Sequence, residues 1–449
     1  MSQTEIEVAN LTPDQRERLM TRLLETRGKS PLPVCSPDQP VKSPEDGLRP
    51  VTPKLSGVPP HIQFESRPLC ALIKEGKIPP VEAAALGYWP DEWLNQSGLS
   101  REMVIDKACN NRAITSTILE TEWGRIAAIS LPKLHSELYT DPGLVDEIVA
   151  ALVLAGDLGA RSVSLTGLLP SATDYGNAII RAIPEGSTLP RITTGHAMTA
   201  ASVVLNIGKI VAEAGRTLPQ ERVAFLGLGS IGLTSLRLLL QSSPHPQSLV
   251  LCDLFHKSES LQAIRDEILG DMGFQGDIKL IAVHDELPPA VYEASLFVGA
   301  TNVPDVLDVQ QLRPGSLIVD DSGPHCFNLR QAKERIARQA DILFTEGGAV
   351  RLPAPVRELW HVPLGLETVF AADWATEPNL IMGCVLSSLL SAKMSTLSHT
   401  VGAVEPDIGL NFYRKLEQLG IQAAPLHGEN YVLPSDLIST FRARTSVEG

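Results

Sequence analysis

The amino-acid sequence predicts an α/β protein of two domains, the second of which contains a doubly wound parallel sheet. Two observations support this prediction. Short apolar segments alternate with helical segments along the second half of the chain, which is the pattern of parallel strands joined by crossover helices. The chain also has 449 residues, of which 43% are hydrophobic, and this suffices for two or three folded cores.

The overall charge and the cysteine positions argue against several function classes. The chain has 38 Lys and Arg against 52 Asp and Glu, a net charge of −14. Sequence-independent binding of nucleic acid needs a basic surface, so we expect no nucleic-acid partner. The six cysteines include no C-x-x-C pair, and we predict no metal site. The N-terminus lacks the pattern of a signal peptide, and no apolar run approaches the ~20 residues of a membrane span. We therefore expect a cytoplasmic protein with no membrane partner.

The first 65 residues differ in composition from the rest of the chain. Nine prolines fall within residues 31–60, a density at which neither helix nor sheet propagates. Before them, residues 12–28 are predicted to form a short helix capped by Thr12. Its apolar stripe indicates either a helix that docks on a partner or a frayed terminal extension. We predict residues 1–65 to be this helix and a proline-rich, largely disordered linker.

The rest of the chain is predicted to form three segments. Residues 66–205 are an N-terminal α/β substrate domain, 206–365 are a nucleotide-binding domain, and 366–449 are a helical segment that completes the substrate domain. Up to residue 214 we predict helices at 80–85, 88–94, 142–158 and 196–214. Strands in the same region are predicted at 125–131, 161–165 and 189–192. The second half contains six short apolar runs, predicted as strands at 222–226, 248–252, 278–283, 295–299, 317–320 and 342–345.

A glycine motif follows the first of these six strands. Gly227, Gly229 and Gly232 have the spacing G-x-G-x-x-G, a helical segment comes next, and the second strand leads to Asp253. Strand, glycine turn, helix, strand and acidic residue together form the signature of a dinucleotide-binding Rossmann unit. The phosphates of the ligand would lie at the N-terminus of the helix, where free N–H groups and the helix dipole favour negative charge.

The motif also predicts the cofactor and its contacts. Asp253 would accept a hydrogen bond from a ribose 2′-hydroxyl and repel a 2′-phosphate, so NAD(H) is preferred. The basic neighbours Lys257 and His256 leave NADP(H) possible. Ligands bind beyond the carboxyl ends of such strands. We therefore include Thr301 and Asn302, which follow the fourth strand, among the predicted cofactor contacts. We predict eight cofactor-binding residues: Gly227, Gly229, Ser230, Ile231, Gly232, Asp253, Thr301 and Asn302.

Four side chains are candidates for the chemistry of hydride transfer, which needs a proton donor or acceptor beside a carbonyl oxygen. Cys326 could act as a nucleophile, with the adjacent His325 lowering its pKa or serving as acid and base. His196 opens a long helix, where a neutral imidazole suits donation to a carbonyl. Tyr175 lies in a strand-to-helix loop rich in hydroxyl groups and glycine. Each of the four also has a structural interpretation, as a packing, capping or turn residue.

The order of motifs resembles that of the long-chain acyl-[acyl-carrier-protein] reductases, within the shikimate dehydrogenase and glutamyl-tRNA reductase-like group. The similar segments span roughly residues 85–435 and comprise ITTGHAMTAASVV, GLGSIG, IVDDSGP, TEGGAV and LIMGCVLSSLL. The resemblance implies a cleft between two domains, with C-terminal helices that pack back on the first domain. It also implies a thioester substrate and an NADP-linked reduction.

Two positions depart from that family. The nucleophilic cysteine of the reductases corresponds here to Pro353, so either Cys326 replaces it or no covalent acyl-enzyme forms. Asp253 stands where the reductases tend to carry basic residues. Both departures favour a relative with altered chemistry.

These observations leave three hypotheses for function. The first is an NAD(P)H-dependent oxidoreductase of specialised metabolism that reduces a carbonyl, such as a carrier-tethered acyl thioester or an aldehyde. It would be a homo-oligomer and would dock its carrier through residues 12–28, which resemble short helices found beside carrier domains. The second is a small-molecule dehydrogenase of shikimate or amino-acid type without a carrier partner. The third is an NAD-sensing or scaffold protein that has lost catalysis.

Overall fold

The computed structural model describes residues 59–254, 257–284, 286–362, 377–429 and 431–445. The predicted helix at residues 12–28 and most of the proline-rich segment lie outside the described residues. The chain forms two compact units. Of the described residues, the first unit contains 59–194, 354–362, 377–378 and 387–395, and the second contains 195–353, 379–386 and 396–445.

The strands of the described residues are, in chain order, β1 (Ile62–Glu65), β2 (Ala83–Trp89), β3 (Ile114–Thr121), β4 (Gly124–Leu134), β5 (Ser162–Leu165), β6 (Arg191–Thr193), β7 (Arg222–Leu226), β8 (Ser248–Leu254), β9 (Asp277–Val283), β10 (Leu296–Gly299), β11 (Ser316–Asp320), β12 (Ile342–Glu346), β13 (Ala349–Arg351), β14 (Arg357–His361), β15 (Leu380–Met382), β16 (Gln422–Ala423), β17 (His427–Gly428) and β18 (Tyr431–Val432).

The α-helices of the same residues are α1 (Leu69–Lys74), α2 (Asp91–Ser97), α3 (Leu144–Asp157), α4 (Leu169–Ala172), α5 (Asn177–Ala182), α6 (His196–Glu213), α7 (Ser230–Ser242), α8 (Ser258–Gly270), α9 (Leu329–Gln339), α10 (Gly383–Lys393), α11 (Pro406–Gln418) and α12 (Ser435–Thr445). A π-helical segment spans Glu102–Ala108. Short 3₁₀ turns lie at His135–Glu137, Leu218–Gln220 and Val309–Gln311. None of the described helices is long and apolar enough to cross a membrane.

The first unit is built on a mixed sheet of seven strands in the order β1-β14-β3-β4-β2-β5-β6. The strands β4, β2, β5 and β6 run parallel to one another, whereas β3 is antiparallel to both β4 and β14. Helix α3 covers this sheet with a buried stripe that includes Ile148 and Leu152, as its predicted amphipathic pattern required.

Two neighbouring helix predictions in the first unit differ from the structure. Residues 80–85 and 88–94 were expected to be helical, but residues 83–89 form β2 and only 91–97 form a helix. The alanines 83–85 have high helix propensity, yet they lie at the centre of the sheet and are fully or almost fully buried. Burial on both faces of a parallel strand overrides local propensity.

The second unit contains the predicted doubly wound sheet. Its six strands are parallel and lie in the order β12-β11-β10-β7-β8-β9. Numbered from β7, this is the order 3-2-1-4-5-6 of a dinucleotide-binding sheet. All six strands were predicted from their apolar runs. The chain order reverses between β7 and β10, so the carboxyl ends of these two strands form the switch point at which such sheets bind ligands.

The remaining elements of the second unit pack around this sheet. Helix α6 buries thirteen of its residues, and α11 lies against both α6 and α7. A small antiparallel sheet forms in the order β15-β13-β16. The boundary between the units falls at residue 195 rather than at the predicted 206, and residues 396–445 group with the second unit instead of the first.

Candidate functional site

The glycine turn between β7 and α7 is shaped by close backbone contacts. Gly227 has a φ of +91°, and a Cβ at this position would lie 2.5 Å from the Ala300 carbonyl oxygen. A Cβ on Gly232 would lie 2.0 Å from the Gly227 carbonyl oxygen. Both positions therefore require glycine, the first for its conformation and the second for the contact between helix and strand.

Gly229 differs from its two partners because a Cβ there would meet no atom within 4 Å. Its backbone is extended, with φ −70° and ψ −165°, a conformation open to any residue. Helix α7 begins directly after it, and no side chain caps this end among the residues that the structure describes. The open side of Gly229 and the uncapped N–H groups of Ser230, Ile231 and Gly232 together fit a pyrophosphate.

Asp253, at the end of β8, holds the glycine turn in place. Its Oδ2 accepts a hydrogen bond from the Leu228 N–H at 2.9 Å, and its Oδ1 accepts one from the Leu254 N–H at 2.7 Å. Lys257 Nζ donates to both oxygens, at 3.0 and 3.1 Å. The side chain is almost completely buried. Asp253, which is predicted to bind the ribose of the cofactor, therefore also has a structural role. The ammonium group of Lys257 lies beside it.

His196 forms a hydrogen bond with the helix that follows the glycine turn. Its Nδ1 lies 2.8 Å from the Ser230 Oγ, which is the first side chain of α7. Burial lowers the pKa of His196 to about 4, so the imidazole is neutral at physiological pH, as its place at the start of α6 predicted. Its hydrogen-bond partner Ser230 is one of the predicted cofactor-binding residues, and the catalytic role predicted for His196 stays a prediction.

The segments that follow β10 and β11 are joined by hydrogen bonds. The Thr301 N–H donates to Ser322 Oγ at 3.0 Å, and the Gly323 N–H donates to the Thr301 carbonyl at 3.3 Å. Asn302, the next predicted cofactor residue, is exposed. These contacts place Thr301 and Asn302 at the carboxyl end of β10, beside the switch point.

His325 forms an acid–histidine pair with Asp320, the last residue of β11. The His325 Nδ1–H donates to Asp320 Oδ2 at 3.0 Å, and the Nε2 lies 3.7 Å from Glu346 Oε1. Burial opposes a positive charge on His325, but the hydrogen bond to Asp320 and the nearby carboxylates outweigh it and raise the pKa of the imidazole. A partly exposed histidine with a raised pKa can hold and release a proton near neutral pH.

Cys326 does not have the properties of a nucleophile. Its thiol is completely buried, and burial together with the charge of Asp320 raises the pKa well above the usual range of a thiol. Its backbone N–H donates to Asp320 Oδ2 at 3.1 Å. The adjacent residues His325 and Cys326 thus share Asp320 and do not form a couple. Since only an accessible thiolate attacks a carbonyl, this placement argues against the predicted role of Cys326.

Glu346 extends the same cluster to a distant part of the chain. It ends β12, and its Oε2 lies 3.6 Å from the Nε2 of His427, a residue of β17. It also accepts a hydrogen bond from the Glu429 N–H. Two imidazoles, His325 and His427, therefore face one carboxylate. Among the described residues no group of three or more side chains could hold a metal ion.

Asp321 is a further carboxyl at this edge of the sheet, and the sequence suggested no role for it. It directly follows β11, and its N–H donates to the Gly299 carbonyl at 2.8 Å. Its side chain makes no hydrogen bond or ion pair with any residue that the structure describes. The residue is half-buried. Loss of hydration and the charges of Asp320 and Glu346 raise its pKa well above its usual range.

Tyr175 belongs to the first unit. It lies in the loop between α4 and α5, is 36% exposed and has a φ of +53°. Its neighbour Asp174 also has a positive φ and pairs with Arg181 at 3.2 Å. Two consecutive non-glycine residues with positive φ are uncommon, and such strain is frequent in functional loops. The substrate contact predicted for Tyr175 stays a prediction.

The comparisons with known proteins give matches among solved structures alone. No protein-family model matches the sequence, and no curated protein matches it. Among solved structures 122 chains match. L-tryptophan dehydrogenase from Nostoc punctiforme is 14% identical with a TM-score of 0.33, over 82% of this chain and 89% of that one. A shikimate dehydrogenase in complex with NADP⁺ is 11% identical with a TM-score of 0.32, over 75% and 96%.

A third structure is matched over a shorter length. The chain spans only 36% of Δ(1)-pyrroline-2-carboxylate reductase from Thermococcus litoralis, in complex with NADH and L-proline, with 28% of this chain covered, 12% identity and a TM-score of 0.22. The identities and TM-scores are low throughout, so no activity is inferred from these proteins.

Proposed function

We propose that the protein is an NAD(P)H-dependent oxidoreductase that acts on a carbonyl compound. The observation that carries this proposal is the glycine turn at the first strand of a 3-2-1-4-5-6 sheet, with Gly229 open to its surroundings above the uncapped end of α7. Pyrophosphate binding is the chemistry that this arrangement suits. A nicotinamide bound there would supply the hydride.

The environment of Asp253 supports a preference for NAD(H) that is not absolute. A carboxylate at this position accepts a hydrogen bond from a ribose hydroxyl and repels a 2′-phosphate. Lys257 lies within 3.1 Å of the same carboxylate and is partly exposed, so a cation is present to offset that repulsion. We therefore include NADP(H) as a second cofactor.

The residues at the ends of β11 and β12 support carbonyl reduction without a covalent intermediate. Cys326 is buried and its thiol stays protonated, and Pro353 stands where the resembled reductases have their cysteine. The pKa values of His325 and Asp321, at the same edge, both lie above their usual values, so these two residues are the candidate proton donors. We infer that the substrate carbonyl receives hydride directly rather than through an acyl-enzyme.

A carrier-tethered acyl thioester or aldehyde is our finer proposal for the substrate, and a small molecule of the shikimate or amino-acid type is the second candidate. The order of sequence motifs supports the first, together with the apolar stripe predicted for residues 12–28. Deletion of residues 1–58 distinguishes them, because docking requires the helix. Equal turnover of a carrier-loaded substrate by the full and shortened chains would contradict docking of a carrier protein through residues 12–28.

The first experiment measures NADH binding by fluorescence titration. Gly229→Val places a side chain where the pyrophosphate would approach, and its Cβ meets no protein atom within 4 Å. Affinity should therefore fall by at least about tenfold with little change in melting temperature. Gly208→Val is the matched control, because a Cβ at this exposed position of α6 also meets no atom within 4 Å. Equal NADH affinity in both variants would contradict the proposed site.

A second experiment tests the absence of a covalent step. Cys326→Ala removes a buried thiol, so we expect a loss of about 1 kcal/mol in stability with NADH binding and turnover retained. Loss of turnover in a folded variant that still binds NADH would restore the cysteine as a nucleophile. NADH binding by the wild type without oxidation of NADH by any aldehyde, thioester or 2-oxo acid would instead favour a cofactor-sensing protein.

A further inference from the structure

The carboxyl of Asp321 lies over a turn that has no side chains of its own. A Cβ on Gly348 would lie 2.5 Å from Asp321 Oδ1, and a Cβ on Gly347 would lie 3.3 Å from Asp321 Cβ. The backbone of this turn is fixed by Asn206, whose Nδ2 donates to the carbonyls of Gly347 and Ala349, both at 2.8 Å. The two glycines therefore provide the space that the Asp321 carboxyl occupies.

The surroundings of Asp321 favour a neutral carboxylic acid. The charged groups near it are Asp320 and Glu346. His325 contacts both of these carboxylates, and His427 contacts Glu346. Asp320 is occupied by Ser322, His325 and Cys326, and Glu346 by Glu429. No cation or N–H group of the described residues reaches Asp321. An acid in such a setting keeps its proton above the usual pH range.

The sheet order places this acid near the reactive half of the cofactor. The glycine turn at β7 and Asp253 at β8 belong to the first mononucleotide-binding half, which takes the adenosine end. The other half consists of β10, β11 and β12, so the nicotinamide would lie over their carboxyl ends. Asp321 and the Gly347–Gly348 turn stand at those ends. This step rests on the function proposed above.

We propose that Asp321 is the group that donates a proton to the carbonyl oxygen of the substrate. A reduced nicotinamide bound at this site would supply the hydride for the carbonyl carbon, and the electrons of the C=O π bond would become a lone pair on the oxygen. The Asp321 O–H bond breaks and its proton forms the new O–H bond. The products are an alcohol, the oxidised cofactor and an Asp321 carboxylate, which takes up a proton from solvent.

The experiment compares wild type with Asp321→Asn, with Asp321→Ala as a second variant and Asp266→Asn as the control, since Asp266 is 67% exposed on α8. The infrared spectrum at pH 7 should show a protonated carboxyl band in wild type and in the control that both Asp321 variants lack. NADH should shift this band. The Asp321 variants should bind NADH within about twofold of wild type, yet oxidise it with straight-chain aldehydes about 100-fold more slowly.

The outcomes separate this proposal from the proposed function. If wild type binds NADH but the band is missing or does not move, Asp321 is not the donor and the dinucleotide site stands. Wild-type rates in Asp321→Asn would overturn the proposal in the same way. If wild type fails to bind NADH, the proposed function itself fails.

Discussion

Asp253 and Asp321 stand at the carboxyl ends of two strands in one sheet, but their surroundings are opposite. Asp253 receives two backbone N–H groups and the ammonium of Lys257. Asp321 receives none of these and faces other carboxylates. The same residue type at equivalent positions can thus serve as a fixed anion that shapes a turn or as an acid that holds a proton. Partners, not position along a strand, decide between the two roles.

The largest effect that sharpens this comparison is expected from Asp253→Ala. The change leaves the buried Leu228 N–H without an acceptor and removes the partner of Lys257, so the free energy of unfolding should fall by roughly 2–4 kcal/mol. Chemical denaturation of this variant and of Asp266→Asn measures the difference. If Asp253→Ala is as stable as the Asp266 control, the carboxylate does not hold the glycine turn.

A smaller effect, an increase in the free energy of unfolding, is expected from Asp321→Asn. Below the usual carboxyl pKa of 3.8 the acid is protonated in both folded and unfolded states. As pH rises above that value the unfolded chain ionises first, so the wild type loses stability until the folded carboxyl has also ionised. Asparagine does not titrate, and the stability advantage of the variant should therefore grow between pH 4 and pH 8. Denaturation across this range that shows a constant or shrinking advantage would mean that Asp321 ionises normally.

The smallest effect is expected from Lys257→Met, which removes the cationic partner of Asp253. Removal of this partly exposed cation should lower the affinity for NADPH by about two- to fivefold and leave that for NADH closer to wild type. Fluorescence titration with both cofactors measures the ratio. An unchanged ratio would show that Lys257 neutralises Asp253 without contributing to cofactor selectivity.

The six-stranded sheet of the second unit was predictable from the sequence because its signals are local. The six strands, the glycine turn and Asp253 follow from apolar runs and fixed spacings that a single strand–turn–helix unit imposes. Segment 83–89 could not be predicted from local signals. Its alanines suggest a helix, and the segment is extended because it pairs with neighbouring strands of the sheet.

The chemistry at the strand ends was harder to predict because it depends on contacts between distant segments. Cys326 and His325 are adjacent in sequence, which suggested a couple, but both turn towards Asp320. His427 lies far along the chain from Glu346, and no spacing indicates that they meet. The role of Asp321 depends on the partners it lacks, and a lack of partners leaves no pattern in the sequence. His196 was recognised as a neutral imidazole from its helix position, but its partner Ser230 was not.

A crystal structure of the protein with NADH tests the central claim most directly. We predict that the pyrophosphate contacts the N–H groups of Ser230, Ile231 and Gly232, with the nicotinamide over the carboxyl ends of β10, β11 and β12 and its C4 atom near the Asp321 carboxyl. A nucleotide bound away from the glycine turn, or bound there with its nicotinamide over β8 and β9, would contradict the account.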